Sequence, residues 1–254
     1  MRMGRRAQIA VLLLTWCVPC FAEDFRIEFT AGYWSLNPSG HIDTSSTSVD
    51  LRSDLGIRGG QDEGSFKVVW KPGAKHRINF EVIPFRLDGE NTITRTIDFG
   101  GRTYPIEDHI TSSLNIDYVF GGYQYDIVNN ARGHFGIGGG IAYVNAKAST
   151  TSQTLGLTGT EQRQVPVPAI GGEFRFFPIP GKNIFNINGE VKGIAQGSYG
   201  SFIQASANAG LAVSRFLRVQ AGFNFADADV HKPDLSNRFS VRFTGPVFSI
   251  QLHD

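Results

Sequence analysis

An uninterrupted alternation of apolar and polar residues follows the N-terminal segment of this sequence: FRIEFTAGY, at residues 25–33. The same alternation recurs downstream as SFKVVWK at residues 65–71 and as SLNIDYVF at residues 113–120. Successive side chains of a β-strand point to opposite faces, so a period of two predicts strands with one apolar and one polar face. Almost no helical periodicity interrupts these segments, and the sequence therefore predicts an all-β chain.

Alternating segments continue to the C-terminus, which allows the strands to be counted. They lie at residues 25–33, 65–71, 77–82, 113–120, 135–143, 170–176, 185–192, 203–211, 217–225 and 239–252. We predict about ten antiparallel strands, with about eight as the alternative.

The connections between these segments alternate between long and short. The long ones fall at residues 38–63, 88–110, 150–164, 195–200 and 227–237, and the short ones at 72–75, 129–133, 178–183 and 214–215. Short turns on one side and long loops on the other are typical of barrels in the bacterial outer membrane, where the turns face the periplasm. A soluble β-sandwich, the alternative, has no reason to sort its loops in this way. We therefore predict a closed up-and-down antiparallel barrel.

The first 22 residues have the layout of a secretory signal peptide. Basic residues precede an apolar run at residues 9–18 that is too short to span a bilayer, and the small residue Ala22 follows it. We predict cleavage near Ala22, so that residues 1–22 are the signal peptide and residues 23–254 form the outer-membrane barrel domain. Cys17 and Cys20 both lie in the signal peptide, so the mature chain is expected to contain no disulfide and no thiolate site.

The polar face of the predicted strands carries many charges, which we assign to the barrel lumen. They are Glu28, Lys67, Arg77, Glu81, Asp117, Glu173, Arg175, Glu190, Lys192, Arg218 and Arg242. A small soluble barrel could not bury so many charges in its core, whereas in the lumen of a membrane barrel they can pair with each other and with water. Two interpretations stay open: a salt-bridged plug that blocks flow, and a narrow pore lined by charge.

Aromatic residues lie near both ends of the predicted strands, where we expect them to form girdles at the two membrane interfaces. The expected girdle residues are Phe25, Tyr33, Trp70, Tyr125, Phe135, Tyr143, Phe176, Phe185, Phe216 and Phe225, with Phe85 and Phe239 beside the long loops.

These features together resemble the small outer-membrane β-barrels of Gram-negative bacteria, the broad group around the OmpA and OmpW type barrels. The resemblance covers the mature chain, although such barrels usually end on an aromatic residue and this chain ends on Leu252-His253-Asp254. It implies a monomer in the bacterial outer membrane that contacts membrane lipid and lipopolysaccharide and is inserted by the barrel-assembly machinery. No cofactor is expected, and a net charge of +1 gives no reason to expect a nucleic-acid partner.

The first two long loops carry more apolar residues than free loops need. We expect residues 49–57 to fold back over the mouth of the lumen. Residues 92–99 and 102–106 flank Gly100-Gly101, which predicts a β-hairpin that projects beyond the membrane. Exposed hairpins of this kind suit adhesion or ligand capture, and they are also what long outer loops ordinarily look like.

The sequence favours a non-enzymatic role in envelope structure or surface interaction, with a narrow channel or porin for small solutes as the alternative. A lipid- or peptide-modifying hydrolase is the minor alternative, because barrel enzymes exist. Omptin-type proteases are ten-stranded and have Asp and His residues at the outer rim, which in this chain would be Asp50, Asp54, Asp227, Asp229, His231 and Asp234. Lipid A hydrolases use Ser and His, for which the nearest candidates are His109, Ser112 and Ser113.

Overall fold

The computed structural model describes residues 25–44, 47–179, 182–195, 200–231 and 238–254. The expected signal peptide and its cleavage point lie outside the described residues. Within these ranges, no helix is long and apolar enough to cross a membrane.

The described residues form β-strands joined by turns and loops. The strands are β1 (Ile27–Asp43), β2 (Ser48–Asp50), β3 (Gln61–Gly73), β4 (His76–Thr92), β5 (Ile97–Phe99), β6 (Arg102–Tyr104), β7 (His109–Asn130), β8 (Gly133–Ser152), β9 (Thr158–Phe176), β10 (Phe185–Ala195), β11 (Gly200–Ala212), β12 (Leu217–His231) and β13 (Arg238–His253).

Ten of these strands form a closed antiparallel barrel in which each strand pairs with its neighbours in chain order. Closure is made by β1, whose Phe29 pairs with Val68 of β3 on one side and with Leu252 of β13 on the other. Closure removes the free edges that an open sheet would expose to lipid. The predicted up-and-down barrel is confirmed, with ten strands rather than eight.

The barrel strands extend well beyond the segments that the alternation marked. Residues 150–164 were expected to be a loop, but β8 continues to Ser152 and β9 begins at Thr158. That expectation was wrong because the outer parts of these strands carry polar side chains on the exposed face, and a polar stretch resembles a loop in sequence. The backbone there remains paired, with Thr151 opposite Thr158.

The two faces of β7 exchange polarity along the strand. Near the short turns, the outward face is apolar and exposed, at Tyr123, Tyr125 and Ile127. Near the long loops, the inward face is apolar and buried, at Ile110, Leu114, Ile116, Tyr118 and Phe120. We had expected the segment at residues 113–120 to turn its apolar side to lipid, and the structure shows the reverse.

The same exchange occurs on β4. Its inward residues are polar near the short turns and apolar near the long loops, in the order Arg77, Asn79, Glu81, Ile83, Phe85 and Leu87. The barrel thus has a membrane-type half with a polar interior and an outer half with an apolar interior and a polar exterior, like a soluble barrel.

A belt of exposed apolar side chains encircles the membrane-type half. Each barrel strand contributes, for example through Phe29, Phe66, Phe80, Tyr123, Ile141, Ile170, Ile187, Ile203, Phe223 and Phe248. On β8 the belt extends from Phe135 to Tyr143, about nine residues, which is the length that a tilted strand needs to cross a bilayer core. The outer half of the barrel therefore stands above the membrane.

The first two long loops form a lid over the outer mouth of the barrel. Their apolar side chains join the core of the outer half: Val49, Leu51, Leu55, Ile57, Ile93, Ile97, Phe99 and Tyr104. The structure therefore places residues 49–57 back over the mouth, as expected. Strands β5 and β6 make the expected hairpin, with positive φ at Gly100 and Gly101. The hairpin does not project, however, because Tyr104 donates to the carbonyl oxygen of Thr150 at 2.7 Å and is buried.

Candidate functional site

A network of ion pairs crosses the lumen of the membrane-type half. Lys67 Nζ on β3 lies 3.1 Å from Glu173 Oε2 on β9 and 2.8 Å from Glu190 Oε2 on β10. Lys192 Nζ lies 3.1 Å from Glu190 Oε1 and also contacts Glu81 on β4. Side chains from strands on different sides of the barrel thus meet in its centre, and each charge faces an opposite one.

Two further pairs extend this network towards the short turns. The Arg175 guanidinium donates to both carboxylate oxygens of Glu28 across the lumen, at 2.8 and 3.0 Å. Arg77 Nε donates to Asp126 Oδ2 at 2.8 Å, and both side chains are fully buried. Bidentate arginine–carboxylate pairs are geometrically specific and are among the stronger charge-assisted contacts in proteins. We call this set of paired lumen charges the plug.

The plug leaves a cavity of 90 Å³ between its polar side chains, bounded by Glu28, Lys67, Glu81, Glu173, Arg175 and Glu190 among others. A polar space of this size accommodates a few ordered waters. Barrels of this diameter are filled by their own side chains, and these side chains fill the lumen mainly with paired charges.

Nine of the eleven charges that we assigned to the lumen point into it: Glu28, Lys67, Arg77, Glu81, Glu173, Arg175, Glu190, Lys192 and Arg218. The assignments of Asp117 and Arg242 were wrong. Asp117 lies on the outer wall, where it pairs with Arg86, and Arg242 Nε lies 2.7 Å from Asp227 Oδ2 on the same wall. Both residues occupy the outer half, where the polar face of each strand points to solvent.

Nine of the ten expected girdle aromatics face outward: Tyr33, Trp70, Tyr125, Phe135, Tyr143, Phe176, Phe185, Phe216 and Phe225. Phe25 does not, because it precedes β1 and its ring turns into the short-turn end of the lumen, 4.6 Å from Lys71 Nζ. Phe85 and Phe239 also face inward, since they lie in the outer half where apolar residues point to the interior.

An apolar chamber lies directly above the plug in the outer half. Its walls include two aromatic contacts: Phe85 stacks on Phe243 at 4.8 Å between ring centroids, and Tyr118 stacks on Phe202 at 5.8 Å. The chamber has a volume of 70 Å³ and a lining that is almost entirely apolar. Its floor includes Gln204, whose amide donates to Glu81 of the plug at 3.2 Å.

Two polar atoms in the chamber wall have no hydrogen-bond partner among the described residues. They are the indole Nε1 of Trp34 and the hydroxyl of Tyr118, and both side chains are buried. A buried donor without a partner is unfavourable by roughly 1–3 kcal/mol. We had not expected this chamber, because the alternation analysis assigned its walls to lipid. The sequence signal was the change of apolar phase on β7 between Phe120 and Tyr123.

Four of the five rim carboxylates that could have supported protease chemistry lie among the described residues, and these four are occupied by structural contacts. Asp50 accepts hydrogen bonds from the backbone of Arg52 and Ser53, and Asp54 Oδ2 lies 2.5 Å from Arg95 Nη2. Asp227 and Asp229 pair with arginines on the outer wall. The His231 side chain and Asp234 lie outside the described residues. Among the described residues, no cluster of His, Cys, Asp or Glu could hold a metal ion.

The candidate lipid-hydrolase residues do not converge. Ser112 points inward and lies 3.4 Å from Thr150 Oγ1, whereas His109 and Ser113 point outward. His109 and Ser113 are separated by four residues of extended strand, about 13 Å. These three side chains therefore cannot form a nucleophile–base pair in this arrangement.

Solved structures with a similar fold are outer-membrane barrels. The outer-membrane protease OmpT from Escherichia coli matches with a TM-score of 0.60 and 9% identity, over 92% of this chain and 98% of that chain. The translocator domain of the autotransporter NalP from Neisseria meningitidis matches with a TM-score of 0.47 and 13% identity, over 98% and 96%. Ail of Yersinia pestis matches with a TM-score of 0.42 and 11% identity, over 89% and 99%.

The sequence matches no protein-family model and no curated protein. At the identities of the structural matches, similarity extends to the fold alone. The closed ten-strand barrel, its belt and the match to OmpT show that the chain has the fold of a small outer-membrane β-barrel. This fold indicates the outer membrane as its location.

Proposed function

We propose that this protein is a non-enzymatic, non-conducting barrel with a role in envelope structure or surface interaction. The observation that carries the proposal is the plug, in which Lys67 and Lys192 bridge glutamates from three strands in the middle of the lumen. Opening a pore would require these ion pairs to separate. Separation is unfavourable because it leaves each charge buried without its partner.

The outer half supports a role at the cell surface. The outward face of this half is polar and extends above the membrane, and the lid covers the outer mouth of the barrel. On the sheet formed by β8 and β9, hydroxyl groups pair across the strands, with Thr151 and Thr158 at 3.1 Å and Ser149 and Thr160 at 3.3 Å. We propose that this wall lies among the sugars of lipopolysaccharide, and that the chain is a monomer inserted by the barrel-assembly machinery after cleavage near Ala22.

The structural arrangement of the rim supports the non-enzymatic part of the proposal. A catalytic carboxylate needs access to substrate, and the candidate carboxylates Asp50, Asp54, Asp227 and Asp229 are engaged by arginines or by backbone amides. The similarity to a protease is one of fold alone.

The refolded barrel of residues 23–254 is expected to be electrically silent in a planar bilayer. The recording is made at about 1 M salt, where the Debye length is about 3 Å and surface charges are screened. Silence is expected because paired side chains occupy the cross-section of the lumen. The measurement is single-channel current over a range of voltages, on protein shown to be folded by its heat-modifiable electrophoretic mobility.

A variant that combines Lys67→Ala, Glu81→Ala and Lys192→Ala serves as the positive control. It removes three members of the plug and leaves the lid in place, so discrete openings of the folded variant would assign the block to the plug rather than to the lid. Stable openings of the unaltered barrel would overturn the proposal and favour the narrow channel, with the lumen charges as selectivity determinants.

A further inference from the structure

A cluster of polar aromatic side chains lies on the lipid-facing wall beside the first short turn. Lys75 is the last residue of the turn between β3 and β4, and His76 begins β4. Across the ladder, His76 pairs with Tyr125 of β7, and Tyr123 lies two residues further along β7 on the same exposed face. We call Lys75, His76, Tyr123 and Tyr125 the turn cluster.

The side chains of the turn cluster contact one another. The His76 Nδ1 atom lies 2.6 Å from the Tyr123 hydroxyl oxygen, and the His76 ring makes an edge contact with the Tyr125 ring at 5.5 Å between centroids. Lys75 Nζ lies 5.8 Å from the centre of the Tyr125 ring, within the range of a cation–π contact. An ammonium group, an imidazole and two phenols therefore lie side by side on the exterior of the barrel.

The turn itself is fixed on β7 by hydrogen bonds of its backbone. The Asp126 amide donates to the carbonyl oxygen of Lys75 at 2.8 Å, and the side-chain amide of Asn129 donates to the carbonyl oxygen of Ala74. Ordering a mobile segment costs free energy when a ligand binds, and a turn that is already held avoids most of this cost. The position from which the Lys75 side chain extends is therefore set before a ligand arrives.

The turn cluster lies at the inner border of the apolar belt. Tyr125 pairs with Ile137 of β8, which is the next outward-facing residue after Phe135, where the belt begins. Ile78 and Phe80 continue the same face of β4 towards the middle of the membrane, and both are exposed. The short turns of such barrels face the periplasm. The cluster is therefore at the depth of the lipid head groups of the inner leaflet, beside an apolar surface for their acyl chains.

The positive charge of the turn cluster has no counterpart on the protein surface around it. Lys75 forms no ion pair among the described residues, and the neighbouring carboxylate of Asp126 is turned into the lumen, where it pairs with Arg77. The adjacent short turn, between β7 and β8, adds a second exposed cation, Arg132. The wall at this turn therefore attracts an anion.

We propose that the turn cluster binds the phosphate of an anionic phospholipid in the inner leaflet. Lys75 supplies the charge. With the Tyr123 hydroxyl donating to Nδ1, a neutral His76 ring carries its hydrogen on Nε2, from which it donates to a phosphate oxygen. The cation of a zwitterionic head group would need an acceptor, and the described part of this turn has no exposed carboxylate. The ligand is therefore a phospholipid whose head group is negatively charged overall.

Native mass spectrometry of the refolded barrel of residues 23–254 in detergent measures the binding of one lipid at a time. The protein is titrated with phosphatidylglycerol and, separately, with phosphatidylcholine that has the same acyl chains. We expect the first phosphatidylglycerol to bind about tenfold more tightly than the first phosphatidylcholine, a difference of about 1.4 kcal/mol. Equal binding of the two lipids would overturn the proposal.

Lys75→Gln is expected to abolish the preference for phosphatidylglycerol and to leave binding of phosphatidylcholine unchanged. Lys75→Arg keeps the charge and should keep the preference. The matched control is Arg215→Gln in the turn between β11 and β12, where a guanidinium lies 4.3 Å from the centre of the Phe216 ring without the histidine and tyrosines of the turn cluster. This control should leave the preference unchanged. Equal losses for Lys75→Gln and Arg215→Gln would show a diffuse effect of charge at the membrane surface and would overturn the proposal.

The three variants replace exposed side chains of turns, and heat-modifiable electrophoretic mobility checks that each one folds. Glycerol phosphate, which has the phosphate of the head group without acyl chains, distinguishes a membrane lipid from a soluble phosphate ester. We expect it not to displace phosphatidylglycerol, because it cannot contact the apolar surface at Ile78 and Phe80. Displacement at concentrations comparable with those of the lipid would assign the turn cluster to a soluble ligand and contradict the proposal.

Discussion

Replacing Ile170 by arginine is expected to lower the free energy of unfolding by about 3 kcal/mol, because lysine or arginine on the lipid face at the bilayer midplane costs roughly 2–4 kcal/mol. Ile170 has an exposed fraction of 72%. It pairs with Gly139, which lies midway between Phe135 and Tyr143 at the two ends of the belt on β8. The measurement is a urea titration of the barrel refolded into vesicles.

Thr160→Arg is the matched control for this change. Thr160 lies on the same strand and the same outward face as Ile170, ten residues closer to the long loops, or about 33 Å along the strand. In the structure this position is above the membrane and exposed, so the same substitution should change stability by less than about 0.5 kcal/mol. Equal losses at both positions would contradict the division of the barrel into a membrane half and an aqueous half.

Replacing Glu28 by glutamine is expected to lower the free energy of unfolding by about 3 kcal/mol, since breaking a buried ion pair costs roughly 3–5 kcal/mol. The change is nearly isosteric but removes the charge that faces Arg175 across the lumen. Urea titration followed by tryptophan fluorescence measures the loss. The double variant Glu28→Leu and Arg175→Met removes both charges, and we expect it to recover more than half of the stability.

Asp227→Asn provides the comparison with an exposed pair. Asp227 contacts Arg242 on the outer wall, where the arginine side chain is 57% exposed. Water and salt screen such a pair, and its contribution is about 0–1 kcal/mol. A loss for Glu28→Gln as small as that for Asp227→Asn would show that the lumen is hydrated enough to screen its charges. That result would also weaken the argument for a closed plug.

The two halves of the barrel have different consequences for function. In the membrane half, the plug occupies the centre of the barrel and supports the proposed absence of conductance. In the outer half, the same strands enclose an apolar chamber beneath the lid.

Much of the fold could be predicted from residue order alone. The period of two identified the barrel strands, and the sorting of short and long connections predicted closure with the turns on one side. Both signals are local, because alternation and turn composition depend on neighbouring residues only. The belt residues near the short turns, such as Trp70 and Phe135, followed from the same alternation and face outward in the structure.

The sequence by itself determined the strands and their order, but only the tertiary structure decided which face of each strand points inward at each height. A period of two is the same whether the apolar face meets lipid or a core, so Asp117 and Phe85 were assigned to the wrong sides. The partners of the lumen charges, such as Glu28 and Arg175, lie on strands far apart in sequence and meet because the barrel closes. Closure and strand length are properties of the whole sheet, and they created the plug and the chamber.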